Sequence, residues 1–173
     1  MTHIMVDLET MGTSNNAAII AIGAVIFNEK NILDYFYQNI DLASSVERGL
    51  KMDPGTVTWW LEQDVKARAA LREDRQPLPV VLDNLSRWAA KDRDISEIEL
   101  WGNGAAFDNV ILRNAYKACG LIPFWLFRGD RCFRTIKALY PGVPMDRIGT
   151  HHNALDDAKT QALHLIKILR RLE

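Results

Sequence analysis

The segment Val6-Asp7-Leu8-Glu9-Thr10 constrains this chain more than any other, because it sets two carboxylates between apolar residues at alternating positions. The stretch His3–Leu8 alternates and is bounded by Thr10 and Gly12, which reads as a β-strand. Residues two apart on a strand share a face, so Asp7 and Glu9 project together while Ile4, Val6 and Leu8 line the other side. Adjacent carboxylates in a partly buried place repel, and a bound proton or cation relieves that cost. Oxygen ligands of this type suit Mg2+ or Mn2+. Taken alone, the pair is more simply the solvated polar face of an edge strand.

The order of elements after the first strand narrows the fold class. Ile19–Phe27 is rich in β-formers, Asn28–Lys30 reads as a turn and Asn31–Ile40 as a returning strand, which makes a three-stranded antiparallel start. Helices are expected over Pro54–Gln63 and Asp64–Glu73. After the breaker Gln76-Pro77-Leu78-Pro79 another is expected over Val80–Ala90, with Val81, Leu85 and Trp88 near helical spacing. Glu97–Trp101 reads as a short strand ended by Gly102-Asn103-Gly104. Ala105–Cys119 reads as a helix stopped by Gly120, and Cys132–Leu139 as a short helix before Pro141. Gly142–His151 has loop composition, and Asn153–Leu172 is the final helix. Strands first and then alternating helix and strand point to an α/β fold, a mixed sheet flanked by helices. No repeat, low-complexity tract or linker divides the chain, so residues 1–173 are expected to form one domain.

Two further acids stand where a strand or loop gives way to a helix. Asp108 lies in the opening turn of the helix after the Trp101 strand, where an acid meets the helix dipole favourably by ~0.3–1 kcal/mol and where a carboxylate also reaches a crevice at the strand ends. His152 and Asp157 lie five residues apart, about 140° around a helix, so they address one site only if His152 precedes the helix on the loop. Asn153 suits the N-cap and Asp156 resembles a capping-box acid, which leaves Asp157 free. Each feature has a plain structural explanation. Four carboxylates on three separated elements with a histidine alongside do not share one so easily.

Composition sets outer limits. The chain holds 21 basic and 22 acidic residues. A protein gripping a long duplex by charge alone would show a basic excess; one gripping a few terminal nucleotides through bound cations need not. The apolar runs fall short of the ~20 residues of a spanning helix, no secretory leader opens the chain, and Cys119 and Cys132 have no metal spacing. A cytoplasmic setting without membrane association is the expectation.

The segments Asp7-Leu8-Glu9-Thr10, Asn103-x-x-x-Phe107-Asp108 and His152-x-Ala154-x-x-Asp157 resemble the three motifs of the DEDDh 3′-5′ exonuclease family, which includes RNase T, oligoribonuclease and the proofreading subunit of bacterial DNA polymerase. The whole chain is most similar to small stand-alone members, the phage-type DNA exonuclease A and mycobacterial-type exoribonuclease branch, to which Thr58-Trp59-Trp60-Leu61-Glu62-Gln63 adds a softer match. The resemblance implies an RNase H-like fold with a mixed five-stranded sheet. It implies that Asp7, Glu9, Asp108 and Asp157 hold two Mg2+ or Mn2+ ions that clamp a phosphodiester, with His152 as general base. It also implies a single-stranded 3′ end of RNA or DNA as partner, read near Glu9 and Thr10, and a homodimer. Met11, Phe107 and Trp60 are expected to wedge or stack on the last bases. An RNase H-like endonuclease and a non-catalytic cation-binding module are the alternatives.

Overall fold

The computed structural model describes residues 1–171. Three antiparallel strands lead: β1 (Thr2–Thr10), β2 (Ile19–Phe27) and β3 (Ile32–Asn39). Asn28 closes the turn between the last two, its side chain accepting from the amides of Lys30 and Asn31. Four helices come next: α1 (Leu42–Glu47), α2 (Pro54–Glu62), α3 (Val65–Ala70) and α4 (Leu78–Ala90). The chain then forms β4 (Ile98–Gly102), α5 (Asp108–Ala118), β5 (Asp130–Cys132), α6 (Phe133–Leu139) and α7 (Ala154–Leu169). The strands order as β3-β2-β1-β4-β5, with β4 parallel to β1 and β5 parallel to β4. The mixed sheet is what the strand and helix pattern leads one to expect, and its five strands are what the family resemblance implies.

The sheet separates two cores, and the alternation of β1 decides which side chains enter each. Ile4, Val6 and Leu8 join Val81, Leu82 and Leu85 of α4 and Ile111, Leu112 and Ala115 of α5. Met5 points the other way, into a smaller core with Phe133 of α6 and Ala158, Ala162 and Leu165 of α7. Asp7 and Glu9 follow Met5 on that second face, at the rim where the apolar packing runs out. Two glycines let helix starts close on this rim. Gly23 lies opposite Asp7, and a Cβ there would stand 2.2 Å from the Ala154 carbonyl carbon, so the first turn of α7 rests directly on the sheet. At Gly102 a Cβ would stand 2.3 Å from Asn109 Oδ1 and 2.9 Å from Asp108 Cβ. The chain therefore turns straight from β4 into α5.

Several element bounds differ from the sequence reading, each for a local reason. α4 begins at Leu78 rather than Val80, with Pro79 in its first turn, where a missing N–H costs no hydrogen bond. α3 stops at Ala70, short of Glu73, because the Ala70 and Glu73 carbonyls both accept from the Asn39 side chain instead. α5 starts at Asp108 rather than Ala105; the preceding residues form a turn closed by Phe107 N donating to Gly104 O at 2.7 Å. The start of the helix expected over Cys132–Leu139 is the end of β5, three residues long and too short to show a period. α1, six residues long, is likewise too short for its period to stand out in the sequence. The expected end of the last helix at Leu172 lies outside the described residues.

Candidate active site

Asp7 and Glu9 reach the rim from β1, and the close seat of α7 on Gly23 carries Asp157 to them. One carboxylate oxygen from each of the three lies within 4.8 Å of the others. Glu9 and Asp157 are buried, and Glu9 Oε1 has no hydrogen-bond partner among the described residues. Asp108 stands just outside this tight group. It is almost fully buried, and the backbone of Leu8 and of Asn103 hydrogen-bonds its carboxylate. Its charge is nevertheless the strongest charge effect felt by Asp7.

The cost of gathering these acids appears in their proton affinities. Burial, then the charges of Asp108, Glu9 and Asp157, push the Asp7 carboxyl well above the usual carboxylate range. Burial, then Asp157 and Asp108, raise Glu9 to about 8. Burial raises Asp108 to about 7 against its backbone hydrogen bonds. Such a cluster awaits positive charge, and a divalent ion supplies more of it in one place than any side chain. The donors are all carboxylate oxygens, one of them unpartnered, which fits a hard divalent cation. Among the described residues Arg147 answers the cluster by pairing its guanidinium with Asp157, and Arg134 acts on Asp108 from farther off.

His152 precedes α7, as the angular argument requires. Asn153 is the N-cap and accepts from the Asp156 amide at 3.2 Å. Asp156 does not complete a capping box by bonding back to Asn153. Its Oδ2 instead accepts from Thr150 N at 2.7 Å, tying down the loop. His152 has a left-handed backbone, φ 60°, unusual for a residue with a Cβ. Its amide donates to Asp157 Oδ2 at 3.1 Å, so the loop and the acid cluster share one carboxylate. Burial, then the neighbouring His151, lower the His152 pKa below its ordinary value and favour the neutral ring.

Asp7, Glu9, Asp157 and His152 line one open cavity of about 650 Å³, together with Thr10, Phe107 and both neighbouring tryptophans, while Asp108 lies off its wall. Of these two, Trp60 is the buried one, 4% exposed, and its indole N–H donates to Thr10 O at 2.9 Å. Trp59 is 40% exposed and meets the His152 ring edge-on, centroids 4.8 Å apart. Thr10 donates its hydroxyl to Gly12 O at 2.7 Å. Phe107 packs on the larger core with part of its side chain facing the cavity. Met11 packs on that same core and lies off the cavity wall. Simple alternation would put it beside Asp7 and Glu9. The register shift between Glu9 and Thr10 reverses the pattern.

Three residues at the site carry no signal that the sequence reading used. Gln161 is buried and donates Nε2 to Asp7 Oδ1 at 2.6 Å, while its Oε1 has no partner among the described residues. It lies one helical turn after Asp157, and that i+4 spacing is the clue that was open to reading. Arg147 and Lys137 also line the cavity. They sit on a loop and a short helix, where periodicity says nothing of direction.

The chain matches the model of the 3′-5′ exoribonuclease Rv2179c-like domain over residues 2–169. No curated protein sequence matches it. Among solved structures, the nuclease domain of 3′hExo, a DEDDh family member bound to rAMP, is similar with a TM-score of 0.65 and 17% identity. The match covers 98% of this chain and 92% of that one. E. coli Exonuclease I in complex with a dA16 oligonucleotide has a TM-score of 0.66 and 15% identity, over 98% of this chain and 41% of the larger enzyme. A 3′-exonuclease that recognises the histone mRNA stem-loop has a TM-score of 0.62 and 15% identity, over 98% of this chain and 82% of that one. At these identities the likeness speaks for the fold, which is RNase H-like.

Proposed function

The chain belongs to the 3′-5′ exoribonuclease Rv2179c-like family, and from that premise we propose that it hydrolyses the last phosphodiester of a single-stranded RNA or DNA 3′ end, releasing 5′-mononucleotides one at a time. Membership makes it a DEDDh-type 3′-5′ exonuclease; the mechanism and the residue roles are our reading. The observation that carries them is one cavity holding Asp7, Glu9 and Asp157 within 4.8 Å and His152 on the loop beside them. We take residues 1–173 as a single exonuclease domain.

Asp7, Glu9 and Asp157 would hold a divalent cation, Mg2+ or Mn2+, directly, and Asp108 would join them in holding a second. Bound cations would neutralise the cluster, polarise the phosphodiester and offset the charge that builds on it during attack. The chain's own groups do the rest. Gln161 fixes the orientation of the Asp7 carboxylate through its hydrogen bond. His152, held neutral by its surroundings, accepts a proton from the attacking water. Once cations occupy the carboxylates, Arg147 loses its reason to pair with Asp157 and is available to the substrate phosphate. Trp59 offers an exposed aromatic surface to the terminal base, with Phe107 on the same cavity wall and Trp60 as its buried support. Thr10 stands at the end of β1 on the cavity wall, where the free 3′-hydroxyl would be read, while Met11 packs behind it on the larger core. Requirement for that hydroxyl makes the enzyme an exonuclease.

The test uses 5′-labelled RNA and DNA oligonucleotides, linear and circular, with and without a 3′-phosphate, in Mg2+, Mn2+ or EDTA. A ladder shortening from the 3′ end is expected, silenced by chelation and slowed by the 3′-phosphate. Equal cleavage of circles, or cleavage that persists in EDTA, would overturn the reading.

A further inference from the structure

A second cavity, also of about 650 Å³, opens beside the first and shares Asn103, Lys137 and Met145 with it. Its lining differs sharply in charge. The first cavity contains the acid cluster. The second contains Arg134 and Lys137, flanked by Tyr140, Pro141 and Met145, and no carboxylate. Both cations come from α6 at i and i+3, so they lie on one face of the helix. Both are exposed, and neither enters an ion pair among the described residues, where Arg113, Arg131 and Lys167 do. Arg134 is nevertheless held in place: its Nη2 donates to Asn103 O at 2.6 Å, and its guanidinium lies over Gly104. In a chain whose charges balance to −1, two neighbouring cations outside any ion pair among the described residues, Arg134 acting on the buried Asp108 only from a distance, form a local electropositive wall in a cleft.

We propose that this second cavity is the path of the nucleic acid strand upstream of the scissile bond, with Arg134 and Lys137 holding its phosphates and Tyr140 facing its bases. The inference rests on the exonuclease reading and adds a route to it. A strand whose last nucleotide lies in the acid-lined cavity has to leave across a shared boundary, and the shared residues form one that carries a lysine. Phosphates meet the acid cluster only where cations screen it, and meet Arg134 and Lys137 directly beyond it. A proline and an aromatic beside the cations supply surfaces on which unpaired bases rest. Lys137, belonging to both cavities, lies at the crossing point.

Two measurements on the full chain test the route. The first is KM for oligonucleotides of two, four and eight nucleotides, in the wild type and in the double variant Arg134→Ala/Lys137→Ala. The second is anisotropy of a labelled eight-nucleotide strand in EDTA across a salt series. A control double variant, Lys91→Ala/Lys117→Ala, removes the same charge from exposed positions elsewhere. In the wild type KM is expected to fall as the strand lengthens. In the groove variant that dependence flattens, binding of the eight-nucleotide strand weakens about tenfold, and the slope of log affinity against log salt drops by about 0.7 for each cation removed. The control keeps the wild-type slope. Matching losses in both variants, or an unchanged length dependence in the groove variant, would overturn the proposal. If the wild type cleaves nothing, the exonuclease reading fails by itself, and the anisotropy series still decides whether the groove holds a strand.

Discussion

Asp7 and Glu9 ride on β1, which pairs with β2 on one side and β4 on the other and packs against a core on each face. His152 and Arg147 ride on the loop before α7, whose anchors are few and lead mostly to one helical turn. Thr150 bonds to Asp156, His152 to Asp157, and Ile148 to Thr160. One half of the site is therefore set by sheet register, and the other by whatever holds the start of α7. Asp157 belongs to both, since it joins the strand acids and also receives the His152 amide. A cation drawing on Asp157 and a loop hanging from it are mechanically linked. The acids need a rigid frame because like charges push apart. A histidine acting as the proposed base would need only to arrive, and a loop would serve for that.

The strongest way to break this contrast is to remove a strand acid. Glu9→Gln is expected to lower kcat by about 10⁴-fold, since losing several kcal/mol of charge stabilisation costs a factor of ten per ~1.4 kcal/mol. The same variant relieves like-charge repulsion, so its melting temperature in EDTA should exceed that of the wild type. A stable variant with near-normal kcat would remove Glu9 from the chemistry.

His152→Ala comes next. A drop of about 10³-fold in kcat, within the range of general-base catalysis, is expected with cation binding by calorimetry nearly unchanged. Because the His152 pKa lies below the ordinary 6.5, the acid limb of the wild-type pH profile should fall below that value as well. An acid limb well above 6.5 would contradict a depressed histidine. Gln161→Leu, which cannot donate to Asp7, is expected to weaken cation affinity and kcat by about 10–100-fold, and Gln161→Glu should not restore either.

The smallest effect concerns stability without metal. Glu9, raised from 4.5 to about 8, holds its proton in the folded chain at pH values where the unfolded chain has lost it. The stability this gives is complete below about pH 4.5 and is lost as pH rises through 8, and Asp108, raised to about 7, adds in the same direction. Thermal melts in EDTA should therefore decline across that window, and Mn2+ should remove the decline. A melting temperature that climbs with pH in EDTA would show that the acids do not crowd one another.

The amino-acid order alone determined the strand that carries Asp7 and Glu9, the presence of Asp108 and Asp157 in the opening turns of helices, and the need for His152 to precede its helix. All of these are short-range: alternation, capping and angular spacing act within a few residues. Tertiary structure decided what crosses between elements. Gly23 faces Ala154 across more than a hundred residues, and nothing in its neighbours announces that α7 will rest there. Gln161 meets Asp7, Trp60 turns its indole to Thr10, and a register shift sends Met11 to the opposite core. Each of these depends on where two distant backbones pass, and that is set by the packing of both cores at once rather than by any local preference.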